Sequence, residues 1–350
     1  DYVAGFADSA KIVPGMGRTK SFKESAYDFA FANGYVRYQP KSFIGFELGH
    51  GRHFIGDGYR SLLLSDAGFN YPYLKIETEV WKFKYVNIFA EFQDITPSMA
   101  GDNLNFKKYG TFHYLTFTPT DGLEIGLFEA VMWSGTDSTG TNRGFDFNYI
   151  NPIIFYRPVE FGLGSPDNAL LGLNLRWSFL RHHQIYGQIM LDEFNLGYVL
   201  GNPEKGWRAN KQAAQIGYKY FDVFGLKGLH GQAEFNYVRP YTYSHYRTNS
   251  NYGHFNQPLA HPLGANFWEL MGRLEYTNGR WHASGRLSYA RTGLDKDSIN
   301  YGSNVFAQDV NHFQEFNNSV GQGLTTDLFF GELVVSYLVN PAYSFRVELG

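Results

Sequence analysis

The stretch Asn266–Tyr289, NFWELMGRLEYTNGRWHASGRLSY, decides the fold. From Trp268 every second residue is apolar or glycine (Trp268, Leu270, Gly272, Leu274, Tyr276), with Glu269, Met271, Arg273, Glu275 and Thr277 between them. Successive side chains of a strand point to opposite faces, so this run has one oily face and one largely charged face. Beyond a two-residue Asn278-Gly279 turn the rule repeats, with Trp281, Ala283, Gly285, Leu287 and Tyr289 against His282, Ser284, Arg286 and Ser288. An Asn-Gly pair between alternating runs predicts a β-hairpin.

The same partition recurs along the chain. Leu171, Leu173, Leu175 and Trp177 oppose Asn174, Arg176 and Ser178, and Ile185, Gly187, Ile189 and Leu191 oppose Gln184, Gln188 and Asp192. Ala233, Phe235 and Tyr237 oppose Gln232, Glu234 and Asn236; Leu333, Val335 and Tyr337 oppose Glu332 and Ser336; Phe345, Val347 and Leu349 oppose Arg346 and Glu348. Weaker alternation covers Asp28–Tyr38, Phe43–Leu48, Tyr71–Thr78, Lys84–Gln93, Lys108–Thr118 and Leu123–Val131. Read by this template the chain holds about fourteen strands in seven hairpins.

The connections fix the class. Within hairpins they are short: Pro119-Thr120-Asp121-Gly122, Leu180-Arg181-His182, Asn278-Gly279-Arg280 and Asn340-Pro341-Ala342. Between hairpins they are long: His50–Asn70, Asp94–Phe106, Trp133–Asp167, Asn195–Asn210, Pro240–Ala265 and Thr292–Thr325. Loops longer than about 12–15 residues are uncommon in compact domains. A transmembrane outer-membrane β-barrel explains six of them alternating with tight turns, because its periplasmic turns are short and its extracellular loops long. Backbone in hydrocarbon must be fully paired, lipid wants the oily face, and the lumen tolerates the charges. Trp177, Phe179, Tyr276, Trp281, Tyr337 and Tyr343 stand beside the short turns, as an aromatic girdle requires. A large soluble β-sandwich or β-helix accounts for the alternation but not for this rhythm or the girdle. The expectation is a single all-β, antiparallel barrel domain over residues 1–350. The ends read as those of a processed chain or a fragment, so about fourteen to eighteen strands fit.

Composition agrees. Of 350 residues 18% are aromatic and 18% charged, against about 25% charged in typical soluble domains. No apolar run approaches the roughly 18 residues of a membrane helix, and mean hydropathy is −0.33. The net charge of −3 comes without a basic block, which argues against a nucleic-acid partner. The absence of cysteine excludes disulfides, thiolate metal sites and a lipidated cysteine within the span.

Function in a barrel belongs to the lumen and outer loops. No Gly-x-Ser-x-Gly, Ser-x-x-Lys, His-Glu-x-x-His or P-loop pattern occurs. Asp192-Glu193 is an adjacent acidic pair whose members point to opposite faces, Asp192 into the lumen and Glu193 at the outer rim. His254 with His261, and His50 with His53, lack a cysteine or well-spaced carboxylate, so a structural role is expected rather than metal binding. Arg52, Arg157 and Arg239 stand at the mouths of long loops, able to clamp a carboxylate or meet an acidic sugar or a lipopolysaccharide phosphate.

At Gly51-Arg52-His53, followed by Gly56-Asp57-Gly58-Tyr59-Arg60-Ser61-Leu62-Leu63-Leu64-Ser65-Asp66, the chain resembles the capsule-assembly Wzi family of outer-membrane barrels. Arg157-Pro158-Val159-Glu160, Ser165-Pro166-Asp167-Asn168, Asp192-Glu193-Phe194 and Asn256-Gln257-Pro258-Leu259-Ala260-His261-Pro262 fit a Bacteroidota branch of it that includes gliding-motility proteins. The resemblance implies a surface lectin that helps hold exported capsular polysaccharide on the cell. It leads to the expectation of a non-enzymatic barrel, integral to a Gram-negative outer membrane, without cofactor or metal. Its partners would be membrane lipid, lipopolysaccharide and surface polysaccharide. Arg52, Arg157 and Arg239 are the expected anchors. Asp66, Glu160, Asp167 and Glu193 would bond hydroxyls, and Trp133, Tyr241 and Tyr243 would stack on sugar rings. Two alternatives stand beside it: a structural subunit of a secretion or gliding-motility complex, partnered by other outer-membrane proteins, and a general porin.

Overall fold

The computed structural model describes residues 12–23, 26–95, 106–136, 140–150, 167–193, 197, 205–308 and 311–350. Fourteen strands make one antiparallel sheet, and each pairs with its neighbours in the chain. They are β1 (Gly34–Lys41), β2 (Ile44–Gly51), β3 (Tyr71–Val80), β4 (Phe83–Asp94), β5 (Phe106–Thr120), β6 (Leu123–Ser134), β7 (Asn168–Phe179), β8 (His183–Glu193), β9 (Lys211–Phe221), β10 (Leu229–Val238), β11 (Phe267–Asn278), β12 (Trp281–Leu294), β13 (Leu324–Asn340) and β14 (Phe345–Leu349). Among the described residues no helix is long and apolar enough to cross a membrane.

The alternation sets the faces as expected. Glu269 and Met271 of β11 are buried, while Leu270 and Leu274 are more than half exposed. The polar side faces in and the oily side faces out, the reverse of a water-soluble sheet. Beside the short turns Trp81, Trp177, Tyr276, Trp281 and Tyr343 are exposed. Trp177 packs on Phe179 at 4.8 Å and Trp281 on Tyr337 at 4.8 Å, which forms the expected girdle.

Three details differ from the sequence reading. The first strand begins at Gly34, and Ala26–Asp28 pairs instead with Lys20–Phe22 in a separate ladder. Lys211–Phe221, absent from the runs read above, is the partner that completes the hairpin with β10. The two-residue turn between β11 and β12 is Gly279-Arg280, since Asn278 already pairs with Trp281 and Gly279 carries the positive φ of 60°. A primed hairpin turn needs a positive φ at its first central residue, and glycine adopts it without strain.

The lumen holds a plug along β7 to β11. Residues 52–70, between β2 and β3, run inside the barrel, where Leu62, Leu63 and Leu64 are wholly buried. This segment leaves β2 yet touches side chains from β7 through β11, so the sheet curls around it. Above it lies 239–266, with Tyr243, Tyr252, Leu259 and Ala260 in the same apolar cluster.

Candidate functional site

The inner wall grips the plug through one cross-strand row. Asn174, Gln188, Gln215, Asn236 and Glu269 are register partners on β7 to β11, so their side chains stand at one level around the lumen. Gln188 accepts the Leu62 N–H at 2.8 Å and donates to the Ile55 carbonyl at 3.1 Å. Asn174 donates to Asp57 at 2.9 Å, and Gln215 donates to the Arg60 carbonyl at 3.0 Å. Glu269 takes Arg60 at 3.4 Å and the Nε2 of His261 at 2.8 Å.

One row nearer the short turns, Glu234 accepts the N–H groups of Tyr59 at 2.7 Å and Arg60 at 3.1 Å, and the Tyr186 hydroxyl at 2.7 Å. The Tyr186 ring reaches Glu234 by crossing Gly217, where an added Cβ would come within 2.0 Å of it. Gly56 is constrained twice over: its φ is 135°, and a Cβ there would strike the Gln188 amide. Buried backbone polar groups need partners, and in this segment wall side chains supply them.

The outer cover is fastened in the same manner. The hydroxyls of Tyr243 and Tyr252 donate to the carbonyls of Leu62 and Leu63 at 2.8 and 2.6 Å. Two wholly buried ammonium groups hold cover carbonyls, Lys108 on Asn251 at 3.2 Å and Lys211 on Ser244 at 3.0 Å. His254 accepts from the Gln93 N–H at 3.0 Å and meets the Asn70 carbonyl at 3.1 Å. Burial holds it neutral, with a pKa lowered to about 3. Burial also lowers His53, to about 4, and His261, although Glu269 opposes the latter shift. Below the plug a cavity of 300 Å³ remains between Asp57 and the wall residues Lys75, Glu77, Lys84, Tyr114 and Glu124. Lys84 pairs with Glu77 at 3.6 Å on its wall, and Lys75 pairs with Glu47, behind the lining, at 3.0 Å.

The residues singled out in the sequence fall into three groups. Trp133, Tyr241 and Tyr243 are buried and present no open ring face. Trp133 packs on Tyr149 at 4.6 Å and Phe145 at 5.3 Å, outside the wall of β5 and β6. Tyr241 donates to the Asn300 carbonyl at 3.0 Å. Asp167 is buried under a two-pronged contact from Arg143 (2.7 and 2.9 Å) and the Tyr149 hydroxyl at 2.6 Å. That contact raises the pKa of the arginine, and burial raises that of the tyrosine.

Arg52 and Arg239 bind backbone: Arg52 the Gly68 carbonyl at 3.0 Å, and Arg239 the Trp207 carbonyl at 3.3 Å. Asp66 is exposed. Glu193 is half-exposed and 3.3 Å from Lys211, while Asp192 turns inward to accept the Tyr243 N–H at 2.8 Å. A register shift does lie between Leu191 and Glu193, yet the two acids do not converge on one site. Arg157 and Glu160 lie outside the described residues. The row from Asn174 to Glu269 was visible as lumenal polarity, but nothing local marked it as a socket.

No family model matches the chain, and no curated protein matches it. Among solved structures it is similar to Wzi, an outer-membrane protein involved in group 1 capsule assembly in Escherichia coli and a carbohydrate-binding β-barrel. The match has 17% identity and a TM-score of 0.55, over 89% of this chain and 68% of that one. It also aligns with the outer membrane protein OprD from Pseudomonas aeruginosa over 92% of this chain and 72% of that one. That alignment has 12% identity and a TM-score of 0.46. The fold is that of an outer-membrane β-barrel. Its outward oily face and aromatic girdle make the chain an integral protein of a Gram-negative outer membrane.

Proposed function

We propose that this is a non-enzymatic barrel that binds surface polysaccharide, capsule or exopolysaccharide, through its outer loops. The observation that carries the reading is the plug. A porin needs a wide water path, whereas here residues 52–70 occupy the lumen along β7 to β11 with Leu62–Leu64 wholly buried; binding then falls to the outer surface. The likeness of fold to a carbohydrate-binding barrel supports the same reading.

Since Trp133, Tyr241 and Tyr243 are engaged in packing, stacking on sugar falls to exposed loop rings. Tyr246 is 43% exposed and has the Arg247 guanidinium 5.8 Å from its centroid. Phe313 is 44% exposed and packs on Tyr301 at 4.6 Å. Arg52, Asp66 and Glu193, with Arg157 and Glu160, are the polar residues proposed to meet the glycan.

The test is pull-down of the purified barrel on immobilised surface polysaccharide from the producing cells. Tyr246→Ala with Phe313→Ala is expected to weaken retention roughly tenfold, the size of one or two lost stacking contacts, with barrel folding unchanged. Full retention by the double variant refutes the ring assignment. Steady ion-conducting openings of the wild type in planar bilayers would restore the porin.

A further inference from the structure

The lipid-facing side of the wall is not smooth. Across β9 to β13 it carries an apolar groove of 590 Å³, bordered by Tyr218, Tyr220, Leu287 and Leu333. The hollow exists because outward positions on three adjacent strands carry little or no side chain: Gly231 and Ala233 on β10, Gly272 on β11 and Gly285 on β12. Glycine inside a strand weakens it, and its presence marks a bulge, a bend or a close approach by something else. Here neither backbone nor packing asks for it. Gly272 and Gly285 are not among the residues with positive φ, and the ladders through both run without a register shift. A Cβ on Gly272 would meet nothing within 4 Å, and one on Gly285 would make ordinary contact with Leu333 at 3.8 Å. The wall could therefore carry leucines here, as it does at Leu270 and Leu274, and instead keeps a furrow open.

Depth and charge identify what fills it. The furrow begins at Tyr220 and Val223, beside the turn between β9 and β10. Short turns lie on the periplasmic side, so the furrow opens into the periplasmic leaflet. At its lower end stand two exposed cations, Lys227 in that turn and Arg280 in the turn between β11 and β12. They stand on neighbouring turns, since Leu229 pairs with Tyr276 and the Thr277 N–H donates to the Gly228 carbonyl at 2.9 Å. Arg280 spends one N–H on the Val339 carbonyl at 3.3 Å. The nearby acid, Asp222, is turned onto the Gly228 N–H at 2.8 Å.

We infer that the furrow is a phospholipid site of the periplasmic leaflet: one acyl chain lies over Gly231, Gly272 and Gly285, and the phosphate sits between Lys227 and Arg280. This assignment is independent of the polysaccharide reading.

Native mass spectrometry of the purified barrel, exchanged into detergent with phosphatidylglycerol or phosphatidylcholine, tests it. The wild type is expected to retain one phosphatidylglycerol in preference to phosphatidylcholine. Gly272→Leu with Gly285→Leu fills the furrow and should cut retention at least fivefold. Lys227→Gln with Arg280→Gln should abolish the preference between headgroups. Those two lie outside the wall, so they remain informative if the leucines disturb insertion. Undiminished retention by a folded leucine variant, or an unchanged preference in the glutamine variant, overturns the site. So does a wild-type dimer that the leucines dissociate, which would make a second copy the occupant.

Discussion

His254 shows how one ring holds two elements. With Nδ1 accepting from the Gln93 N–H, the proton sits on Nε2 and is donated to the Asn70 carbonyl, so the end of β4 is tied to the start of β3 through the cover. Burial sets its pKa at about 3, and the charge of Lys108 pushes in the same direction. The folded pKa lies below the ordinary 6.5, so between those values the opened cover takes up a proton that the closed one refuses. Closure is therefore fully stable above about pH 6.5. It loses about 1.4 kcal/mol per unit as pH falls towards 3. Hydrogen exchange at the Gln93 amide, corrected for intrinsic rates, should lose about fivefold in protection between pH 6.5 and 5.5. Equal protection at both values would show that the ring does not control opening.

At the scale of elements the plug and the strands behave as separable parts. Excision of residues 56–65 removes the segment gripped by Gln188, Gln215, Glu234 and Glu269 but no ladder hydrogen bond of the sheet. The shortened chain should insert normally and show stable conductance where the wild type is silent; a silent but folded deletion would mean that the cover alone seals the lumen. The strands were legible because period two is local: Trp268 to Tyr276 reveals its lipid face without knowledge of any partner. The socket was not legible, because Tyr59 and Glu234 are 175 residues apart and Leu62 and Gln188 are 126 apart. Loop aromatics misled for the same reason. Nothing near Trp133 in the sequence tells that Tyr149 will close over it. The weaker alternation of β4 to β6 has a structural cause as well. Asn87 and His113 face outward yet are buried, bonded to each other at 2.6 Å, and the neighbouring Thr111 and Trp133 lie under 144–149. Lipid does not set the pattern there.

For the molecule as a whole, the decisive property is that its solvent-averse surface is the outside. Leu270 stands mid-strand on that surface, 54% exposed to whatever surrounds the barrel. Leu270→Arg should destabilise the barrel in vesicles by about 2–4 kcal/mol, the cost of a cation near the bilayer midplane, read as a lower denaturant midpoint. An unchanged midpoint would mean that this face does not meet lipid. The plug also imposes an order of assembly. Its donors and acceptors lie at residues 55–62, but their partners on β7 to β11 stand 117 to 209 positions later in the chain. Contacts of such long sequence separation form late, after the loop-closure entropy has been met. The first two hairpins must therefore wait with their connecting segment undocked until β11 is in place, and seating the plug is a closing step of biogenesis rather than its nucleus.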